Sequence, residues 1–463
     1  MLSPPDSTRS SRLHVAVIGG GITGVTLALG LLKRGIDFTI YERASGIKEI
    51  GAGVGFSPNA EEALKALDPR VHQAYKNVAT PNGEDYFQWI DGYGSDEVIY
   101  KLYVGEQGFQ GCRRSAFIEE LAKLLPAENI KFSKEIESIL DDGEGRVELK
   151  FKDGTSEMTD VAIGCDGIRS RVRDILVGKE YAASYTQKFC FRGLVPMEKA
   201  YEHISKYRAS TRFMYNGPDA HSITYPVGEF LNVLLVVSDP ELWQAPEGKH
   251  TAFGPKDAAI KAFEGWQPSA RGIVDLLPND LDKWAVFDML EHPAPYYARG
   301  SVAIAGDAAH ATGPHLGAGA GFGMEDALAL AGLLEAVDQH LSPTFAITKA
   351  LFPEVGTKGD NDKSHSSSSS SSKTATKSEL VHKALAAYQD IRYERTQWLI
   401  KATREASEMF QWQYEPVGND PIKFGEEITR RFYQIWNYDV HGMVKEAIED
   451  FHRRVAPQKP VTS

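Results

Sequence analysis

The feature that most narrows the fold is Gly19-Gly20-Gly21-Ile22-Thr23-Gly24, set between an apolar run, His14 to Ile18, and a stretch of small and apolar residues that reads as a helix. Glycines at 19, 21 and 24 permit a tight strand-to-helix turn, close approach of a diphosphate to the backbone, and close helix-to-strand packing. The unpaired N–H groups at the helix start then face anionic oxygens. Ile36 to Tyr41 reads as a second strand ending at Glu42, whose spacing suits a hydrogen bond from a ribose 2′-hydroxyl; the alternative is a solvated carboxylate. A lone glycine motif carries little weight. Strand, glycines, helix, strand and terminal acid in this order specify a Rossmann-like dinucleotide unit.

A chain of 463 residues exceeds a usual single core, so two intimately packed domains are expected. The net charge of −12 and the lack of a basic run oppose nucleic acid as a partner. Cys112, Cys165 and Cys190 are too scattered for a disulfide framework or a metal cage, so a reducing, cytoplasmic setting is expected. Met1 to Arg12 has no apolar core of a secretory signal and reads as a flexible arm. No apolar stretch approaches the roughly 18 residues of a membrane span.

The α/β chain divides as follows. A first part of the dinucleotide domain, 13–180, closes with the apolar strand and turn Val161-Ala-Ile-Gly-Cys-Asp-Gly-Ile-Arg-Ser170. Alternating stretches such as Ser222 to Pro226 and Leu231 to Val237 make 181–295 a mixed β-sheet domain. Gly300 to Ala305 returns as a buried strand of the first domain, whose second part spans 296–355 and includes a helix over Met324 to Ala336. Serine and lysine dominate 356–378, which cannot bury a core and reads as a disordered insertion. Helical periodicity resumes at Glu379 and places Tyr388, Arg392, Arg395 and Trp398 on one side of a long helix, where packing is the expected role. The tail within 379–463 carries Phe432, Trp436, Tyr438 and Met443 and is expected to lie against the second domain or a partner subunit, a homodimer being one arrangement.

Three motifs in order, the glycine turn, Asp166-Gly167 in Gly-Cys-Asp-Gly-Ile-Arg-Ser, and Gly306-Asp307 in Gly-Asp-Ala-Ala-His, resemble the class A FAD-dependent aromatic monooxygenases of the salicylate and para-hydroxybenzoate hydroxylase group. The resemblance covers nearly the whole chain. It implies that Glu42 holds the adenosine ribose, that Asp307 holds a ribityl hydroxyl and that Arg114 contacts FAD, the doubled arginine leaving Arg113 as an alternative. It also implies that Asp166 and Gly167 serve FAD and the reduced nicotinamide, and that Gly55 lies where the backbone passes the flavin. Glycines of Pro314-His-Leu-Gly-Ala-Gly-Ala320-Gly321, ahead of the helix near Met324, leave N–H groups free for the flavin ring edge. Of two tempting histidines, His310 reads as a structural partner, while His315 is open between structure and catalysis. No second glycine motif follows a strand, so NAD(P)H is expected to bind transiently.

The implied reaction is FAD reduction by NAD(P)H, activation of O2, and transfer of one oxygen atom to an electron-rich ring carbon of a phenol. Such chemistry needs water excluded and the phenol kept ionised, which a nearby cation achieves. Arg192, in Phe-Cys-Phe-Arg-Gly-Leu, and Tyr225, in His-Ser-Ile-Thr-Tyr-Pro, are the catalytic candidates, and their local sequences resemble fungal dearomatising hydroxylases of polyketide pathways. The alternatives are a buried ion-pair partner and a core aromatic. Asp288 reads as structural or as lining the cavity entrance. The expected substrate is a polyketide-derived hydroxyaldehyde or ketone, dearomatised on hydroxylation. The rivals are a salicylate-type decarboxylative hydroxylase and a flavin-binding regulatory protein without turnover.

Overall fold

The structure, a computed structural model, describes residues 13–46, 53–244, 249–342 and 375–457. The expected amino-terminal arm and 356–374 of the serine tract lie outside the described residues.

Strand His14–Ile18 pairs in parallel with Asp37–Tyr41 on one side and with Val161–Gly164 on the other, in a six-stranded sheet. Val302–Ile304 joins beside Val161–Gly164, also in parallel, so the chain leaves this domain and returns to it. Central strands of such a sheet are covered on both faces, which is why Val15, Ala16 and Val17 are wholly buried in an unbroken apolar run. Helices Ile22–Lys33 and Gly319–Leu341 pack against each other over this sheet.

The second of those helices begins at Gly319, earlier than the expected Met324, and runs on to Leu341. Its glycines read as loop in sequence, yet they are close-packing positions. A Cβ on Gly323 would sit 2.3 Å from the Thr23 hydroxyl, and one on Gly321 would sit 2.9 Å from the Ala60 methyl. Close helix approach outweighs the roughly 1 kcal/mol that glycine costs inside a helix.

The β-sheet domain is an eight-stranded sheet whose neighbours are antiparallel except where Phe213–Gly217 meets Tyr86–Asp91. Two of its strands, Tyr86–Asp91 and Val98–Tyr103, come from within 13–180, so the sheet borrows from a segment that the sequence reading gave wholly to the dinucleotide domain. The long helix spans Lys377–Phe410, and a capping box between Thr376 and Glu379 starts it two residues before the expected Glu379. Lys377 and Ser378 therefore belong to the helix and not to the serine tract. The tail lies on its own chain: Phe432 and Trp436 pack edge-on against Phe87, with centroids 5.6 and 5.2 Å away, and Met443 joins the core of the first domain. Among the described residues no helix is long and apolar enough to cross a membrane.

Candidate active site

A cavity of about 350 Å³ lies between the two domains. Gly21, Gly55, Arg114, Gly167, Asp307 and Ala320 reach it from the dinucleotide side, and Arg192 and Tyr225 from the eight-stranded sheet. Gly19, Gly24, Glu42 and Asp166 do not line it.

The glycines divide into two classes. Gly19 has φ +110° and a Cβ there would lie 2.4 Å from the Cys165 carbonyl oxygen, while one on Gly24 would lie 2.0 Å from the Gly19 carbonyl oxygen. Those two close the turn. Gly21 and Gly167 have no atom within 4 Å of an added Cβ, so the protein leaves open space beside them. Helix Ile22–Lys33 follows Gly21 with no side-chain cap, leaving its first N–H groups directed at that space. The donor set fits the diphosphate of FAD. Glu42 stands at the strand end as expected, its two oxygens accepting from the N–H groups of Gly20 and Ala44, each at 2.7 Å. A carboxylate oxygen carries two lone pairs, so each can still accept from a ribose hydroxyl.

Arg114 opens helix Arg114–Ala122 and lines the cavity, whereas Arg113 ends the preceding strand and does not line it. Gly55 lies where a Cβ would strike the Phe109 ring at 2.2 Å. Asp166 is turned away from the cavity: Ser170 donates its hydroxyl to it, and the N–H groups of Arg171 and Val172 donate at 2.7 and 3.1 Å. Burial raises this carboxyl above the usual range, against those hydrogen bonds. Only Gly167 of the pair faces the cavity.

Asp307 is exposed at the cavity edge, at the start of a short helix whose preceding Gly306 has φ +61°. What fixes this loop is Asp326. Its carboxylate accepts from Gly306 N–H at 2.8 Å, contacts His310 Nε2 at 2.5 Å and accepts from Arg392 Nε at 2.7 Å. Burial alone would raise its pKa; His310 and Arg392 outweigh that and hold it far below the carboxylate range. His310 is thus the structural partner expected. Arg392 also pairs with Glu325 at 2.7 Å, and Arg395 with Glu325 at 2.9 Å. Asp288 is structural, accepting both Nε and Nη2 of Arg404 at 2.8 and 2.7 Å.

The sheet presents alternate residues to the cavity. Ile223 registers with Leu234 and Leu234 with Arg192; Tyr225 registers with Asn232 in the next row. Arg192 is exposed, with its guanidinium 5.0 Å over the Trp284 ring. Tyr225 is 8% exposed; burial raises its phenol, with the Cys112 thiol adding and the charges of Arg192 and Arg212 opposing, so it remains an O–H donor at neutral pH. His315 Nδ1 lies 3.3 Å from His221 Nε2, and burial with Lys188 and Arg404 pushes His315 down to about 3. His315 therefore faces the cavity as a neutral imidazole.

Sequence reasoning missed Arg212 and Trp436, both in the cavity wall, and the Glu325-Asp326 pair. Arg212 lies just before strand Phe213–Gly217. Like Trp436 and the acid pair it had no local signal, because long-range packing brings all of them there.

The FAD binding domain family matches residues 12–341. An FAD-dependent monooxygenase of Monascus ruber, pigN, is 45% identical across 98% of this chain and 100% of its own length. A salicylate hydroxylase of Sarocladium schorii, asL1, is 36% identical across 98% of this chain and 94% of its own. A solved salicylate hydroxylase substrate complex has a TM-score of 0.77 and 29% identity, covering 94% of this chain and 98% of that one.

Proposed function

The chain belongs to the FAD binding domain family and is an FAD-dependent monooxygenase, and from that premise we propose that it uses NAD(P)H and O2 to hydroxylate a phenolic hydroxyaldehyde or ketone with loss of aromaticity. The observation that carries this reading is the cavity that brings Arg192 and Tyr225 opposite Asp307, Gly167 and Ala320. When bound, FAD would supply the electrons, drawn from NAD(P)H, that activate O2, of which one atom goes to the ring and the other leaves as water.

The chain's own residues do the remainder. The glycine turn and the start of helix Ile22–Lys33 hold the diphosphate, Glu42 the ribose and Asp307 the ribityl chain. Near Ala320 the first N–H groups of helix Gly319–Leu341, with its positive dipole end, stabilise negative charge on the flavin ring edge. The guanidinium of Arg192 lowers the phenol's pKa, and Tyr225 donates its O–H to the same oxygen, fixing the ring. Phe87, Phe109 and Trp436 exclude water from the reacting atoms. A screen of phenolic aldehydes, ketones and acids against the purified holoenzyme, read by product mass, tests this. One oxygen gained with all carbon retained, and loss of the aromatic absorbance, is the expected result. Gain of oxygen with loss of CO2 from the acids alone overturns it in favour of the salicylate chemistry of its relatives.

A further inference from the structure

Among the described residues the buried arginines are compensated, with one exception. Arg392 pairs with Glu325 and Asp326, Arg431 with Glu405 and Glu427, and Arg173 donates to the carbonyls of Ile168 and Ala308. Arg212 is only 2% exposed, and its guanidinium has no carboxylate or carbonyl partner; its Nη1 lacks any acceptor. Phe87, Trp89 and Phe432 surround it, with ring centroids 3.9, 4.8 and 5.9 Å away, and it lines the same cavity as Arg192. Aromatic faces hold a planar guanidinium in place, yet they satisfy none of the N–H donors on its edge. A desolvated cation of this kind is costly to the fold unless something supplies an acceptor. The charges of both arginines act on the Tyr225 hydroxyl, which lines the same cavity. Burial pushes Arg212 down to about 9, which leaves it charged at neutral pH.

We propose that Arg212 is a second oxygen-recognising group of the active site, so that the substrate presents two oxygen functions conjugated through one ring, one to Arg192 and Tyr225 at the exposed side and one to Arg212 at the closed end. This rests on the phenolic reading above and narrows it. A lone phenol leaves Arg212 without an acceptor. A hydroxybenzaldehyde or hydroxyaryl ketone, once ionised, shares its negative charge between the phenol oxygen and the carbonyl oxygen, and two cations at the ends of that conjugated anion favour ionisation more than one does. A ring carboxylate offers the same acceptor chemistry, and the choice of probes separates it from a carbonyl.

The test uses the wild-type holoenzyme with Arg212→Met and Arg212→Lys. Binding of 2,4-dihydroxybenzaldehyde, salicylate and phenol is followed by the change in the FAD visible spectrum, without turnover, together with the melting temperature. Arg212→Met is expected to weaken 2,4-dihydroxybenzaldehyde about 10- to 100-fold, as for a lost hydrogen bond to a charged group, with phenol little changed and Arg212→Lys in between. The melting temperature is expected to hold or rise, because an uncompensated buried charge is removed. Selective loss confined to salicylate also supports the second acceptor site and identifies it as a carboxylate site. Equal weakening of all three probes, no weakening, or a lower melting temperature with unchanged probe preference overturns the proposal while leaving the phenolic reading intact. If the wild type binds none of the three, the phenolic reading fails and takes this inference with it.

Discussion

Asp326→Asn changes charge and hydrogen-bond polarity at constant size, and it strikes the point where the fold holds its cofactor loop. Oδ2 of Asp326 serves Gly306 N–H and His310 Nε2, and Oδ1 serves Arg392 Nε. An asparagine can keep its oxygen on Arg392 only by turning its NH2 toward Gly306 N–H, donor against donor. His310 can adapt, since its Nδ1 has no partner and can take the proton. Gly306 cannot. An orphaned buried donor costs about 1–3 kcal/mol, and breaking a buried ion pair about 3–5 kcal/mol. Arg392 keeps Glu325 at 2.7 Å, so the lower end, about 3 kcal/mol, applies, and the cost falls on residues 306–310. At about 1.4 kcal/mol per tenfold, the apparent FAD dissociation constant should rise up to about 100-fold. The assay is FAD titration of the apoprotein followed by flavin fluorescence quenching. Because the folded pKa of Asp326 is depressed, its contribution is complete above the ordinary aspartate pKa of about 3.9 and is lost as pH falls further. The deficit of the variant should therefore be constant from pH 5 to 8. Unchanged FAD affinity in Asp326→Asn would refute the idea that this carboxylate locks the loop.

Gly21→Val should fold normally but bind no FAD, since its side chain enters space the protein leaves open, whereas Gly24→Val should fail to fold, its Cβ meeting the Gly19 carbonyl oxygen at 2.0 Å. A soluble, yellow Gly21→Val protein contradicts this assignment. Arg192→Ala should lower product formation about 10-fold at neutral pH, the effect of roughly one pKa unit from an exposed cation, and recover at alkaline pH; Tyr225→Phe should raise NAD(P)H consumed per product formed. Product yield and coupling that stay at wild-type values in both variants sink the catalytic assignment. The depressed His221 and His315 stay neutral in the fold while the unfolded chain protonates below about pH 6.5, so stability should fall as pH drops from there toward 3, by about 1.4 kcal/mol per pH unit for each histidine. Denaturant melts at pH 7 and pH 5 of wild type and His221→Asn/His315→Asn check it, the variant showing the shallower loss.

What the sequence disclosed is what local sterics dictate. Gly19 needs a positive φ and Gly24 a contact closer than a side chain permits, so a short motif records both, and the parallel sheet order follows from the strands it joins. Period-two alternation likewise placed Arg192 and Tyr225 on one face, because register maps parity onto faces. Arg212 was out of reach for the opposite reason. Its cage is built from Phe87 in a borrowed strand and Phe432 in the tail, and no local pattern states that these meet. The turning of Asp166 was hidden similarly: the motif is present, yet Ser170 and the backbone after it capture the carboxylate.

Arg392 and Arg395 show how a structural reading and a functional one can describe the same residues. Their spacing along the long helix suggested packing, and they do pack, Arg392 wholly buried. The surface they meet is Glu325-Asp326 on helix Gly319–Leu341, the helix whose first turn faces the cavity at Ala320. Asp326 passes the contact on to Gly306 and thus to Asp307. Asn59, donating to Glu325 at 2.8 Å, fastens helix Pro58–Leu67 to the same pair. The long helix therefore belongs to the cofactor site although it touches none of the cavity: it supplies the positive charge that lets two adjacent carboxylates stay ionised in the core. Without Arg392, Asp326 would keep His310 and Glu325 would keep Arg395, but each would lose a cation that opposes the cost of its burial.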